Sequence, residues 1–383
     1  MRKAIFICGA GLLCLGSWID NVRGPMLPAL TQFMSMDQQS AGFMMSLGNF
    51  VAMLSTWLLM PLLNRWSLRR IGAIVLIYTV FVTLGSLLVK DQLTLFVWGA
   101  FIGGSISTLG SLSNLFVQSG VAPEKRGQMM SILHSLYGLS SFFAPWVAGK
   151  ILNRPENWQL LFISAAPVAL VLAGVVIRYG GADTPETRGK PAAQPMTLNM
   201  SHILTILVLV AYVLGEVLTS TWMTSFLTSE AGFSITDASN YTSAFFASML
   251  ITRILCGAFA RPRYHRIILW MSLSLSLCCF VIGRLTGWYW LLPLTGLFGP
   301  FFPLYVTWAS LRFPERDRAL VIWMLSGMQA ALCVMNTVVG RVADAYGFKI
   351  AYWIPALMII SAMILLRATA RLTSDSTRDN SSH

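Results

Sequence analysis

Asp20 and Arg23 stand one helical turn apart in GSWIDNVRGP (16–25), inside the first long apolar run of the chain. An ionised carboxylate at that depth in a bilayer costs about 2.5–3.5 kcal/mol on insertion scales, so a buried acid either finds a partner or takes up a proton. Arg23, at i+3 on the same helical face, would hold Asp20 charged until a substrate or a rearrangement separates the two. A static pair that fixes helix packing is the alternative. Asn21 beside it offers a donor and an acceptor to a polyol. Glu216, in AYVLGEVLTSTWMTSFL (211–227), has no cation within one turn, which makes it the stronger proton-site candidate; the other reading is a neutral acid hydrogen-bonded to a neighbouring helix. Arg253, in SMLITRILCGAF (248–259), is a candidate partner for Glu216 or a gate brace, unless it snorkels to the headgroups.

Weaker signals surround these. His134 could hydrogen-bond a substrate or relay protons, or serve as a structural donor. Asn49, Asn114, Gln329 and Asn336 add neutral polar groups that bind substrate or join helices, and the last two, seven residues apart, share a helical face. Trp18, Tyr137, Trp222, Tyr305 and Trp308 neighbour the polar groups. A flat aromatic face beside hydrogen-bonding side chains suits a sugar ring, while core packing is the competing role for each.

The elements that must position these groups follow from composition. Of 383 residues, 56% are hydrophobic and 11% charged, against about 25% charged in soluble proteins, so the chain reads as an all-α protein that spans a membrane many times. Apolar stretches of about 20 residues, the length that crosses a bilayer, recur twelve times, near 4–31, 39–62, 71–89, 93–118, 128–151, 157–179, 201–228, 238–260, 267–287, 289–311, 319–341 and 350–368. The basic start followed by apolar residues mimics a signal peptide, but the apolar run continues past Leu13 and Cys14, which predicts a retained first helix. The polar, Gly- and Pro-rich stretch 180–200 separates two six-helix bundles, 1–179 and 201–370, and 371–383 reads as a polar tail.

With the N-terminus placed in the cytoplasm, 19 of the 27 lysines and arginines fall on that side and six on the other. That bias predicts cytoplasmic termini in the inner or plasma membrane. The halves also repeat. PEKR at 123 and PERD at 314 are 191 residues apart, as are Gly149 and Gly340, each followed by a basic residue; RWSLRR (65–70) and RPRYHR (261–266) align at 196. At that second offset Asp20 maps onto Glu216. Such parallel duplication predicts a pseudo-twofold along the membrane normal, with spans one and seven facing each other across a central cavity.

Several activities find no residues. No GxxxxGK[ST] phosphate loop, GxSxG or HExxH is present, and the six cysteines lie in apolar runs without metal-ligand spacing. The net charge of +12 is spread through short connectors, without the interleaved aromatics of a nucleic-acid groove. No enzyme, cofactor or nucleic-acid partner is expected.

Three segments carry a resemblance. NRWSLRRIG (64–72) resembles a degraded form of the major facilitator loop signature, APEKRGQ (122–128) the family's second such loop, and GRVADAYG (340–347) the end of its helix eleven. Within that superfamily, DNVRGPMLPAL (20–30), YVLGEVLTSTWMTSFL (212–227) and FGPFFPLYVTWASLRFPE (298–315) are similar to helices one, seven and ten of the fucose–galactose–glucose:proton symporters. The resemblance implies two pseudo-symmetric six-helix bundles around a central site and proton-coupled uptake of a sugar or polyol by a monomer. It departs in span four, 93–119, which has no ionisable residue where such symporters commonly keep a coupling acid. Coupling would then run through Asp20 and Glu216, or the protein is a uniporter. GLSSFFAPWVAG (138–149) partly resembles the Gly-Pro motif of proton-driven exporters, and the 20 methionines suit an adaptable pocket. Export of an amphipathic drug or siderophore, and lipid movement through a lateral opening, are the alternatives.

Overall fold

The computed structural model describes residues 3–122, 125–181, 199–259, 264–313 and 317–379. Among the described residues twelve helical spans form an all-helical fold. In the first half they are α1 (Lys3–Phe33), α2 (Gln38–Arg65), α3 (Leu68–Leu88), α4 (Gln92–Gly120), α5 (Arg126–Ile151) and α6 (Pro155–Tyr179). In the second they are α7 (Met200–Glu230), α8 (Ile235–Phe259), α9 (His265–Thr286), α10 (Tyr289–Ser310, whose last turn reaches Arg312), α11 (Asp317–Tyr346) and α12 (Phe348–Thr369, helical on to Asp379). The helix thus runs into residues that the sequence reads as a tail. The PEKR and PERD prolines, most of the 180–200 stretch and Arg261 and Arg263 lie outside the described residues.

Local chemistry sets the helix ends. Asp37 caps α2 through the Ser40 amide at 2.7 Å, Ser67 caps α3, and Asp91 with Thr94 forms a reciprocal capping box on α4. These bonds, led in each case by Ser40 or Thr94, hold the Asp37 and Asp91 carboxyls below the ordinary range. Proline sets the breaks. Pro25 has no N–H for the Asn21 carbonyl, and α1 divides after Asn21, resuming at Arg23. In α10, Tyr289–Phe298 winds as a 3-10 helix and Phe301–Arg312 as an α-helix, with Gly299 and Pro300 between them.

Contacts run within α1–α6 and within α7–α12, and the halves meet along α2 with α11, α5 with α8, and the second segment of α1 with α7 and α8. By length and composition ten spans suit a membrane, and α5 and α8 are the two that fall short. Their polar residues face one another rather than lipid: Ser243 donates to the Phe142 carbonyl and Thr236 to Gly149, at 2.5 and 2.7 Å. The tightest approaches between halves lie toward the face opposite the termini. There Asp344 of α11 accepts the Gln38 and Gln39 amides of α2 at 2.9 and 2.7 Å, and Gly24 packs on the Thr221 carbonyl. Among the described residues α4 and α5 make no such seam with α10, and toward the face that bears the termini Trp57 of α2 donates to Ser326 Oγ of α11 at 3.0 Å.

Candidate central site

The α1 break puts its charges at the cavity. Arg23 donates to the Asp20 carboxylate, forming an ion pair in which the arginine is 8% and the acid 34% accessible. The guanidinium is packed beside Gly48 of α2, where an added Cβ would stand 3.5 Å from Nη1, so the acid is the more accessible member of the pair. Asn21 turns to α5, donating to the Ser17 carbonyl at 2.8 Å and to Ser141 Oγ at 3.1 Å. Ser17 and Ser141 share a hydrogen bond at 2.9 Å, which zips α1 to α5 beneath Tyr137.

Glu216 on α7 has two partners. The Tyr212 hydroxyl, one turn earlier, donates to one carboxylate oxygen, and Arg253 of α8 lies 3.7 Å from the other. Both partners also hold the α10 break. Pro303 has no N–H for the Gly299 carbonyl, and Arg253 Nε donates to that carbonyl at 2.9 Å instead; Tyr212 also reaches the Phe298 carbonyl at 3.4 Å. Glu216 and Arg253 are 17% and 19% accessible, sheltered but within reach of the cavity. Tyr137 of α5 lies beside Asn21 and within electrostatic range of Asp20, Arg253 and Glu216. His134, one turn earlier on α5, is exposed and feels Arg253. Together Asp20, Asn21, Arg23, His134, Tyr137, Glu216 and Arg253 make one polar site shared by α1, α5, α7 and α8.

Other candidates go elsewhere. Trp18 donates its indole N–H to the Leu161 carbonyl of α6 at 3.0 Å, inside the first bundle. Trp222, fully buried, donates to Asn336 at 3.2 Å, and that pairing joins α7 to α11. Tyr305 is fully buried and donates to the Thr205 carbonyl; half-buried Trp308 stacks beside it under Arg312. In these four the packing role carries the geometry. Asn49 is buried three residues beyond Ser46, which bonds Thr337 across the α2–α11 seam. Asn114 donates back to Gly110, and its Oδ1, like Gln329 Oε1, is buried without a partner among the described residues. Ser17, Ser141 and Tyr212 went unnamed in the sequence reading. For Tyr212 the signal was its i, i+4 spacing to Glu216; for the serines, on different spans, there was none.

The comparisons agree with this architecture. A region of 24% identity over 174 residues, 44% of this chain and 43% of the relative, matches the TsgA homolog of Serratia proteamaculans (strain 568), so the match spans less than half the length of that protein. The fold superposes on the nucleoside transporter NupG (TM-score 0.75, 16% identity, 97% of this chain and 99% of that one) and on the xylose transporter XylE from E. coli (0.73, 12%, 96% and 99%). FucP in its outward conformation gives 0.64 at 14% identity, covering 95% and 98%. The family model for the Major Facilitator Superfamily matches residues 6–293. This chain, with its two bundles and charged midpoint, belongs to the major facilitator superfamily of secondary transporters.

Proposed function

We propose that the chain couples uptake of a small polar solute, a sugar or polyol, to protons by alternating access. Glu216 carries the proton, and the Asp20–Arg23 pair with Asn21, Tyr137 and His134 binds the solute. The supporting observation is the two membrane-embedded ion pairs, Asp20–Arg23 in one half and Glu216–Arg253 in the other, with Tyr137 within electrostatic range of both. A carboxylate flanked by a phenol and a guanidinium in a sheltered site exchanges a proton at the cost of one ion pair, so loading and release follow which face is open. With Trp18, Trp222 and Tyr305 committed to packing, the site binds by hydrogen bonds rather than by indole stacking. The excess of basic residues in the connectors on the terminal side supports termini in the cytoplasm.

The test uses purified protein in liposomes with a pH dye inside and no preset gradient, challenged with monosaccharides and polyols one at a time. Lumen acidification by one solute, abolished in Glu216→Gln while counterflow exchange survives, is the expected result. No acidification across the panel, with efflux of an amphipathic compound under an imposed proton gradient, would replace uptake with export.

A further inference from the structure

The α10 3-10 segment runs for ten residues, whereas such coils seldom exceed about four. Something outside the helix holds it. Its carbonyls at Pro293, Gly296 and Gly299 follow the three-residue period and face α8: Ser248 Oγ donates to the first at 2.6 Å and Arg253 Nε to the last at 2.9 Å, while Gly296 takes the Gly299 amide at 3.0 Å with Thr252 Oγ1 3.4 Å away. The helices approach so closely that a Cβ on Gly296 would lie 2.0 Å from Ser248 Oγ, and one on Gly299 2.5 Å from the Met249 carbonyl. The last rung, Arg253, is also the ion-pair partner of Glu216. Tyr212, the other partner, stacks on Phe301 with centroids 4.3 Å apart; Phe301 stacks on Tyr305 at 5.3 Å, and Trp308 and Arg312 follow. A continuous set of contacts therefore runs from Glu216 through the α10 break and down its α-helical segment to the face bearing the termini.

We infer that Tyr212 and Arg253 are positioning residues that tie the charge of Glu216 to the coil of α10, an inference that rests on the proton-site reading above. A proton from cavity water adds to one Glu216 oxygen, and no other covalent bond changes. Arg253 loses its counter-ion, Tyr212 loses its anionic acceptor, the Gly299 rung slackens, and the Phe301–Arg312 segment swings about Gly299–Pro300. The proton carried by α7 is thereby registered by α10. The ionisable groups around Glu216 are Tyr212 on its own span, Arg253 on α8, Tyr137 and His134 on α5, and Asp20 with Arg23 on α1; α10 faces it with carbonyls. His134 is thus the rival source of any response between pH 5 and 8.

Amide exchange of full-length protein in nanodiscs, read by mass spectrometry and corrected for the intrinsic rate, separates them. Peptide 289–312 is followed from pH 8 to pH 5 with 68–84 of α3 as the internal reference. Protection of α10 in Glu216→Gln is expected to lie roughly tenfold below wild type at pH 8, the scale of one charge-assisted hydrogen bond, while α3 stays constant. Glu216→Gln, Tyr212→Phe and Arg253→Lys, which keeps the charge but not the Nε rung, hold α10 at the low value throughout, with α3 protection certifying the fold. Wild-type protection in Glu216→Gln, or a pH profile that survives there and vanishes in His134→Gln, would overturn the link. The liposome assay fails separately. Lost proton uptake in Glu216→Gln with α10 unchanged removes the link and keeps the proton site; retained proton uptake with α10 loosened keeps the link and removes the proton site.

Discussion

Gly340→Ala should prevent the face opposite the termini from closing. A Cβ built on Gly340 lies 2.2 Å from the Gln38 carbonyl oxygen, 2.7 Å from its carbon and 2.9 Å from the Gln39 Cα, all backbone atoms with no rotamer to retreat into. Ordinary contact begins at 3.4 Å, so α2 and α11 must part by about 1.2 Å at that level. Overpacking of this kind costs about 1–3 kcal/mol. The separation also strips Asp344 from the Gln38 and Gln39 amides, the first turn of α2, which has no intrahelical acceptors. Water replaces those bonds in part, leaving about 1 kcal/mol. A total near 3 kcal/mol shifts the closed–open balance by roughly 150-fold. Exchange of those two amides reports the opening directly, and it should quicken by roughly 100-fold, with transport slowed because the cycle cannot pass through the closed state. The symmetry-related Gly149 meets Ser239 Cβ at 2.7 Å and the Thr236 Cα at 3.2 Å, a softer clash, so Gly149→Ala should shift the balance less. The double variant should cost less than the sum, because one rigid-body opening relieves both seams. Amide exchange in Gly340→Ala within twofold of wild type would refute the reasoning.

Asp20→Asn should weaken solute binding at least tenfold in equilibrium binding to detergent-solubilised protein, since it removes the accessible member of the α1 pair; unchanged affinity would return Asp20–Arg23 to a packing role. Trp18→Phe, which gives up the hydrogen bond to Leu161, should lower stability by about 1 kcal/mol in a thermal melt while leaving solute affinity unchanged, and a loss of affinity would restore Trp18 to the site. Asp37→Ala should lower stability by about 1 kcal/mol. Because the folded carboxyl titrates below its unfolded value, near 3.9, the cap is at full strength above that value and weakens as pH falls through the folded one. The melting difference from wild type should therefore be constant from pH 8 to pH 5 and shrink only below about pH 4; a difference that changes near pH 6 would contradict it.

The spans were legible because bilayer length and apolar runs are one-dimensional quantities; the divisions of α1 and α10 at Pro25, Pro300 and Pro303 were not read from them. The Asp20–Glu216 equivalence was legible from the repeat offset, and Asp20–Arg23 from i, i+3 spacing. The choice among aromatics was not. Trp18, Trp222 and Tyr305 lie near the polar groups in sequence, but successive positions on a helix point about 100° apart, and each of the three turns into its own bundle. The α1–α5 serine zipper was equally hidden, since Ser17 and Ser141 are ordinary residues until two spans meet. Nor could composition foresee that the polar face of α8 serves α10.

The two acids, aligned by the sequence offset, differ in wiring, and that difference supports the roles proposed for them. Asp20 takes its cation from its own helix, three residues on, so movement of α1 against its neighbours leaves the pair intact. Glu216 takes its cation from α8, and that same arginine holds a carbonyl that proline has freed in α10. A pair within one helix reports only what enters the cavity, whereas a pair bridging two helices and anchored to a third also registers how those helices stand. A duplicated gene starts with two identical sites. On the proposed reading, Asp20 is the acid suited to the solute and Glu216 the acid whose proton acts on the α10 backbone through Arg253.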